Sequence, residues 1–364
     1  MHTWGKRAAV VAGAAGVVAA GAAVGLAAER YAVGRSFRGV DPEADEPLGQ
    51  LRGTVVPVTA TDGVPLHVEV EGPLPTARKT PPVTVVFCHG LALNQDSWHY
   101  QRRDLADLAE DGSRLVFWDQ RGHGRSGRGT AEGATIEQLG RDLRAVLDAT
   151  APKGRLVLVG HSMGGMTIMA LADQEPELFG GRVVGVALVS TSPGRLAEVS
   201  FGAPAAAVRV LRRAAPRALI ALNRRPGLVQ RGRSLGSDIE FVLTKRYSFA
   251  TDVPPSLVRF VSQLHDATPL DVLAELFPAF DAHDKLEALD VLNGVETLIL
   301  GGERDLMTPA DHSRAMVEQV PGAELVILPE AGHLVMLEHH DIVTDHLRDL
   351  IERAVRHRRR VSSA

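Results

Sequence analysis

The chain has 364 residues, of which 45% are hydrophobic and 23% are charged, and its formal net charge is −4. This composition excludes a largely disordered chain, which would have fewer apolar residues and a stronger charge imbalance. The negative charge and the aromatic content of only 4% argue against a nucleic-acid-binding surface. The single cysteine, Cys88, excludes an intrachain disulfide and a cysteine-rich zinc site.

An uncharged segment at residues 8–28 follows Lys6 and Arg7 near the amino terminus. A helix of this length spans roughly 30 Å, about the thickness of the hydrocarbon core of a bilayer. We interpret the segment as a membrane anchor; the alternative is a signal peptide cleaved near residues 20–22. Residues 1–40 are therefore predicted to anchor or export the protein. The charges that flank the segment do not determine on which side of the membrane the rest of the chain lies.

After a linker at residues 41–47, short apolar runs alternate with helical patterns. Two runs around Gly63 predict an antiparallel hairpin at the edge of a sheet. Thr135 and Gln138 predict a capping box, and Thr308 before Pro309 predicts an N-cap with a first-turn proline. Continuously apolar runs are typical of parallel strands covered by helices on both faces. Six runs have this character: 83–87, 114–118, 156–159, 183–189, 297–300 and 324–328.

The alternation of strands and helices is interrupted between residues 193 and 290. This stretch contains arginines and prolines but no run typical of a buried strand, so we predict a mostly helical cap inserted into an α/β core. Residues 41–192 are then the first part of the core. Residues 291–364 are the second part, which ends in a basic tail.

The pentapeptide GHSMG at residues 160–164 lies between an apolar run and a helical pattern. Glycines on both sides of Ser162 permit a strained strand-to-helix turn that exposes the hydroxyl. The next backbone N–H, that of Met163, begins a helix and can stabilise an oxyanion. The pattern therefore predicts a nucleophilic serine, although a glycine–serine turn that caps a helix is the simpler alternative.

Four further motifs stand at the ends of predicted strands: FCHGL at 87–91, FWDQRGHGRS at 117–126, GGERD at 301–305 and AGH at 331–333. Together with GHSMG they resemble the α/β-hydrolase family, specifically its esterase, lipase and cofactor-free haloperoxidase-like branch. The resemblance extends over about residues 54–351 and is weakest in the insertion. It implies the α/β-hydrolase fold, in which a mostly parallel central sheet is flanked by helices and carries a helical cap.

The resemblance also assigns site residues. Ser162 matches the nucleophile, Asp305 the acid and His333 the base, while Leu91 and Met163 match the two residues whose backbone N–H groups form the oxyanion hole. These roles agree with chemistry, because a serine hydroxyl becomes a good nucleophile only when an imidazole removes its proton. A carboxylate must in turn hold that imidazole in one tautomer.

Other histidines and acids are assigned to structure. His89, His123 and Asp119 lie in loop motifs of the family, and the side chain of His161 is expected to point away from the nucleophile. The remaining histidines considered are interpreted as surface or helix residues: His99, His265, His283, His312, His339 and His340. The acids in or beside the insertion are not at a strand end: Asp266, Asp271, Asp281, Asp284 and Asp290.

The insertion contains two features that bear on the substrate. Eight arginines and no acid occur in residues 209–233, which favours a solvated basic face or an anion site, with an anionic membrane surface as the alternative. Seven of the sixteen aromatic residues lie in the insertion and could line a substrate pocket or form the core of the cap: Phe201, Phe241, Tyr247, Phe249, Phe260, Phe277 and Phe280.

The predicted function is hydrolysis of carboxylic esters with apolar acyl groups, and the predicted partner is a small apolar ester. Haloalkane dehalogenases and epoxide hydrolases of this fold have an aspartate in place of Ser162. A thioesterase, a C–C bond hydrolase, a perhydrolase and a ligand receptor remain alternatives, since fold alone does not define function. No metal or organic cofactor is expected, and the oligomeric state is open.

Overall fold

The computed structural model of the protein describes residues 41–77, 79–202 and 242–361, with only the backbone of 357–361. The predicted membrane anchor at 8–28 and the arginine-rich segment at 209–233 lie outside these residues, so both stay predictions. Within the described ranges, no helix is long and apolar enough to cross a membrane.

Eight strands form one sheet in the order β1-β2-β4-β3-β5-β6-β7-β8. Strand β2 pairs antiparallel with β1 and β4, and the other neighbours pair in parallel. The mostly parallel sheet and its edge hairpin are therefore confirmed. The strands are β1 Thr54–Thr59, β2 Pro65–Glu71, β3 Thr84–Cys88, β4 Arg114–Trp118, β5 Leu156–His161, β6 Val183–Val189, β7 Glu296–Gly302 and β8 Glu324–Leu328.

Helices connect these strands, and residues 242–248 are also helical. The remaining α-helices of the described residues are α1 His99–Asp104, α2 Ala106–Glu110, α3 Ile136–Thr150, α4 Met163–Gln174, α5 Pro255–Asp266, α6 Leu270–Ala282, α7 Ala310–Gln319, α8 Val335–Glu338 and α9 His340–Val361.

The helices cover both faces of the sheet. Successive residues of β3 show this arrangement, because Val86 belongs to a buried apolar cluster with residues of α3, α4 and α7, whereas Val85 and Phe87 belong to a second cluster with residues of α1, α8 and α9. A strand with neighbours on both sides has no solvent-facing positions, which explains the uninterrupted apolar runs in the sequence. Helix α5 lies in the predicted cap, and its residues Leu257 and Val261 belong to the cluster that contains Val85 and Phe87.

The described residues between β6 and β7 are helical apart from turns and one isolated pairing between Gly194 and Asp284. They include helix 242–248, α5 and α6, and two short 3-10 helices at Leu196–Glu198 and Glu287–Leu292. The division of the chain into domains at residues 193 and 290 stays a prediction.

One of the two predicted helix starts is partly confirmed, and the other is wrong. Thr135 accepts a hydrogen bond from the backbone N–H of Gln138 at 3.1 Å, as a capping residue does. The Gln138 side chain bonds Asp142 instead, so the box is only half formed. The prediction for Thr308 is wrong: Pro309 occupies the N-cap position of α7, and the Thr308 hydroxyl donates to Asp305 at 2.7 Å.

The segment predicted as a linker is bound to the body of the protein. Asp41 accepts hydrogen bonds from the backbone N–H and the hydroxyl of Ser256, at 2.8 and 2.9 Å, where α5 begins. Glu43 accepts one from the Tyr100 hydroxyl at 2.6 Å. A carboxylate is favourable at a helix N-terminus because unpaired N–H groups face it. We call residues 41–50 the strap, since they connect α1 with α5.

Candidate active site

Ser162 occupies a sharp turn between the end of β5 and the start of α4. Its backbone has φ 51° and ψ −118°, a strained conformation for a residue with a side chain. The turn is also tightly packed: a Cβ atom on Gly160 would lie 2.5 Å from the carbonyl oxygen of Gly164, and one on Gly164 would lie 2.1 Å from that of Cys88. Only glycine fits at these two positions, so the predicted strand-to-helix turn is observed.

The side chains of Ser162, His333 and Asp305 form one hydrogen-bonded chain. His333 Nε2 lies 3.1 Å from Ser162 Oγ, and His333 Nδ1 lies 2.8 Å from Asp305 Oδ2. The three residues follow β5, β8 and β7, whose carboxyl ends lie at the same edge of the sheet. Because the carboxylate can only accept, Nδ1 carries the proton, and Nε2 is then free to accept one from the serine.

Asp305 is held as a carboxylate by its surroundings. Burial would raise its pKa, but the adjacent His333 and hydrogen bonds from Thr308 outweigh burial and lower the pKa below its ordinary value. Its oxygens accept from the N–H of Met307 at 2.7 Å and from the N–H and hydroxyl of Thr308 at 2.9 and 2.7 Å. The part of Thr308 was missed in the sequence, where the spacing Asp-x-x-Thr was its only signal.

Leu91 and Met163, the predicted oxyanion-hole residues, lie on either side of Ser162. Leu91 follows β3 and lines the same cavity as Ser162, and Met163 is the first residue of α4. Among the described residues neither backbone N–H has an acceptor, so both are available to a ligand oxygen.

The loop that carries Leu91 is held by two buried histidines. His123 Nε2 accepts from the N–H of Ala92 at 3.2 Å, and His89 Nε2 accepts from the N–H of Gln120 at 2.8 Å. Burial lowers the pKa of His89 to about 4 and that of His123 to about 3. Both rings are therefore neutral near pH 7, and their contacts are those of loop structure, as predicted.

Two other residues near the site also have structural contacts. His161 Nε2 donates to the carbonyl oxygen of His333 at 3.0 Å, so its ring supports the loop of His333 rather than bonding the Ser162 hydroxyl. Asp119 accepts from the backbone N–H groups of Gln95 and Arg125, each at 2.8 Å. The prediction that Asp119 belongs to loop structure agrees with these contacts.

A largely apolar cavity of about 240 Å³ opens beside Ser162 and His333. Some of the aromatic residues of the insertion line this cavity, and others do not. Phe249 and Phe260 are buried in the core, and Phe241 lies outside the described residues. The other four line the cavity: Phe201, Tyr247, Phe277 and Phe280.

His265 of α5 and Asp281 of α6, which both lie in the insertion, also line this cavity. The sequence did not place either of them near the site, because neither follows a strand. In the part of the chain that the structure describes, no group of three or more histidine, cysteine or acidic side chains is arranged to hold a metal ion.

Glu338 was missed in the sequence and connects the His333 loop to the insertion. One carboxylate oxygen accepts from the N–H groups of Ala250 and Thr251, at 2.8 and 2.7 Å, and from the Thr251 hydroxyl at 2.7 Å. The other accepts from the N–H of Gly332, next to His333, at 2.6 Å. The only signal was an acid five residues after the histidine.

We expect Glu338→Gln to lower both stability and turnover. The carboxamide presents an NH₂ group to backbone N–H groups that need an acceptor, and a buried donor without a partner costs about 1–3 kcal/mol. Urea unfolding should show a loss of that size, and kcat on a p-nitrophenyl ester should fall up to about 10²-fold, the effect of a 1 Å displacement of His333. The control is Glu330→Gln, whose side chain is 67% exposed. Unchanged unfolding and kcat in Glu338→Gln would contradict this expectation.

Comparison with known proteins places this geometry in a family. The model of the alpha/beta hydrolase family matches residues 85–346. RutD of Variovorax paradoxus, named as a carbamate hydrolase, is 27% identical over 292 residues, 80% of this chain and 97% of the relative. The sn-1-specific diacylglycerol lipase ABHD11 of Mus musculus is 28% identical over 270 residues, 69% of this chain and 75% of the relative.

Among solved structures, an esterase from Thermogutta terrifontis superposes with a TM-score of 0.63 at 24% identity, over 83% of this chain and 99% of the esterase. At that identity the likeness shows the fold, and the family model adds the sequence pattern over most of the chain. The chain belongs to the α/β-hydrolase family, and it is a hydrolase by that membership.

Proposed function

We propose that the protein is a serine hydrolase that cleaves carboxylic esters with apolar acyl groups. The observation that carries the proposal is the hydrogen-bonded chain from Ser162 through His333 to Asp305 on the wall of an apolar cavity. The resemblance to esterase and lipase relatives supports it. Ser162 is the nucleophile, His333 the general base and Asp305 the acid that orients the imidazole.

In the proposed reaction, His333 Nε2 removes the proton of the Ser162 hydroxyl as Oγ attacks the ester carbonyl carbon. The carbonyl oxygen becomes an oxyanion that accepts hydrogen bonds from the N–H groups of Leu91 and Met163. Collapse of this intermediate breaks the bond to the alcohol oxygen, which takes its proton from His333 and leaves an acyl-enzyme. Water, deprotonated by His333, then attacks the acyl carbon and releases the acid and the free serine.

The substrate preference follows from the cavity. Burial of each substrate methylene group against its apolar walls stabilises the complex by about 0.8 kcal/mol, until the space is filled. A charged acyl chain would lose its hydration without a paired charge. Thioesters and C–C bonds can be cleaved by the same three residues, so the cavity, and not the catalytic chain, must distinguish them.

A substrate panel tests the proposal. We expect kcat/KM for p-nitrophenyl esters to rise about fourfold per methylene from acetate, at 0.8 kcal/mol each, and to level off when the cavity is full. Matched acyl thioesters and a ring-fission diketone, measured under the same conditions, should be slower. Faster turnover of the thioester or diketone would reassign the reaction, and no turnover of any member would favour a ligand receptor.

A further inference from the structure

His265 has an unusual position for a polar residue. It lies on α5 four residues after Val261 and eight after Leu257, and both of these side chains are buried in the apolar core. At spacings of four and eight residues these side chains lie on the same side of the helix. At this end of α5 the inward side reaches the cavity, and His265 is part of the wall that also contains Ser162 and His333.

The imidazole of His265 has no hydrogen-bond partner among the described residues, and its neighbours in the cavity wall include Phe277 and Phe280. Burial lowers its pKa to about 4, and the nearby His333 lowers it further, against the opposing charge of Asp266. The ring is therefore neutral near pH 7 and offers one N–H donor and one nitrogen acceptor. A polar group in apolar surroundings costs free energy unless a partner bonds it.

We infer that His265 is a specificity-determining residue that hydrogen-bonds an uncharged oxygen of the substrate, such as a ketone, hydroxyl or ether. The inference rests on the proposed function and narrows it: the preferred ester carries a neutral oxygen function away from the scissile bond, rather than a plain alkyl chain. The polar ring adds selectivity, because a site built to bond an oxygen rejects the analogue that lacks it.

The test compares matched substrates on His265 variants. One pair varies the acyl part, p-nitrophenyl hexanoate against p-nitrophenyl 5-oxohexanoate, and the other varies the alcohol, hexyl acetate against 5-oxohexyl acetate. We expect wild type to favour the oxo member of at least one pair by about five- to tenfold in kcat/KM, the effect of one hydrogen bond to a neutral group. His265→Leu should abolish this preference, measured as the ratio of the two kcat/KM values within each pair.

Further variants separate recognition from structure. His265→Gln and His265→Asn, which keep a donor and an acceptor, should restore part of the preference. Phe277→Leu, which reshapes the same cavity without removing a polar group, should change both members of a pair by the same factor. The melting temperature of His265→Leu should be unchanged or higher, because no internal hydrogen bond is lost. A lower melting temperature, with equal losses on both substrates, would overturn the inference in favour of a structural role.

A binding measurement distinguishes failure of the inference about His265 from failure of the proposed esterase function. Methyl hexanoate and methyl 5-oxohexanoate are titrated by calorimetry into Ser162→Ala, with and without His265→Leu. Tighter binding of the oxo ester, lost with His265→Leu, supports the inference even if wild type hydrolyses neither compound, in which case only the proposed function fails. Turnover of the alkyl esters without preference in either pair, and equal binding of the two methyl esters, overturns the inference and leaves the esterase in place.

Discussion

Replacement of Ser162 by alanine is expected to reduce ester turnover on the order of 10⁶-fold. The hydroxyl oxygen forms the bond to the acyl carbon, and no other hydroxyl in the described chain lies within hydrogen-bonding distance of His333 Nε2. Without it, the oxyanion donors and the cavity can still bind the ester but cannot form an acyl-enzyme. The measurement is kcat on a p-nitrophenyl ester, with intact protein mass after reaction with a fluorophosphonate as the second readout.

Wild type should gain the mass of one phosphonyl group, and Ser162→Ala should gain none. The matched control is Ser190→Ala. Ser190 is a buried serine at the end of β6 with a positive φ of 41°, but it does not line the cavity. That variant should label and turn over as wild type does. Labelling of Ser162→Ala at the wild-type rate would move the nucleophile to another residue.

The second large effect is expected from Asp305→Asn, with kcat falling by about 10⁴-fold. In wild type the carboxylate accepts the Nδ1 proton of His333, which leaves Nε2 able to take the proton of the serine. The carboxamide of asparagine can present its NH₂ group to Nδ1, which moves the ring proton to Nε2 and removes the base. The loss should appear in kcat and leave KM nearly unchanged, because Asp305 does not line the cavity.

Asp290→Asn is the control for this variant. Asp290 precedes β7, whereas Asp305 follows it, and among the described residues its side chain bonds only Gln319 on the surface. We expect wild-type kcat for it. An inactive Asp290→Asn together with an active Asp305→Asn would show that the orienting acid had been assigned to the wrong residue.

The parts of the fold that the sequence predicts are those with a local cause. Strands buried on both faces need apolar residues at every position, so β3, β4, β5 and β6 are visible as continuous runs. The convergence of Ser162, Asp305 and His333 is predictable for the same reason: each follows a parallel strand, and such strand ends lie along one edge. The tight turn at Ser162 is visible because glycines must flank it.

The features that the sequence did not predict depend on partners far along the chain. Glu338 bonds Ala250 across 88 residues, and Asp41 bonds Ser256 across 215. A local sequence pattern gives no information about contacts between residues so far apart along the chain. An acid in a helix or a linker is most often a solvated charge. Thr308 was misassigned because α7 begins only after Pro309, and the threonine hydroxyl donates to Asp305 three residues earlier. His265 was misjudged because its helix position resembles that of an ordinary core residue.

The strap determines where the amino-terminal part of the chain is attached to the rest of the protein. Because Asp41 is bonded to the first turn of α5, a segment that precedes residue 41 joins the protein at that helix rather than at a free linker. Helix α5 carries His265 at its other end, on the cavity wall. A segment attached ahead of the strap is thereby connected to the wall of the substrate cavity through a single helix.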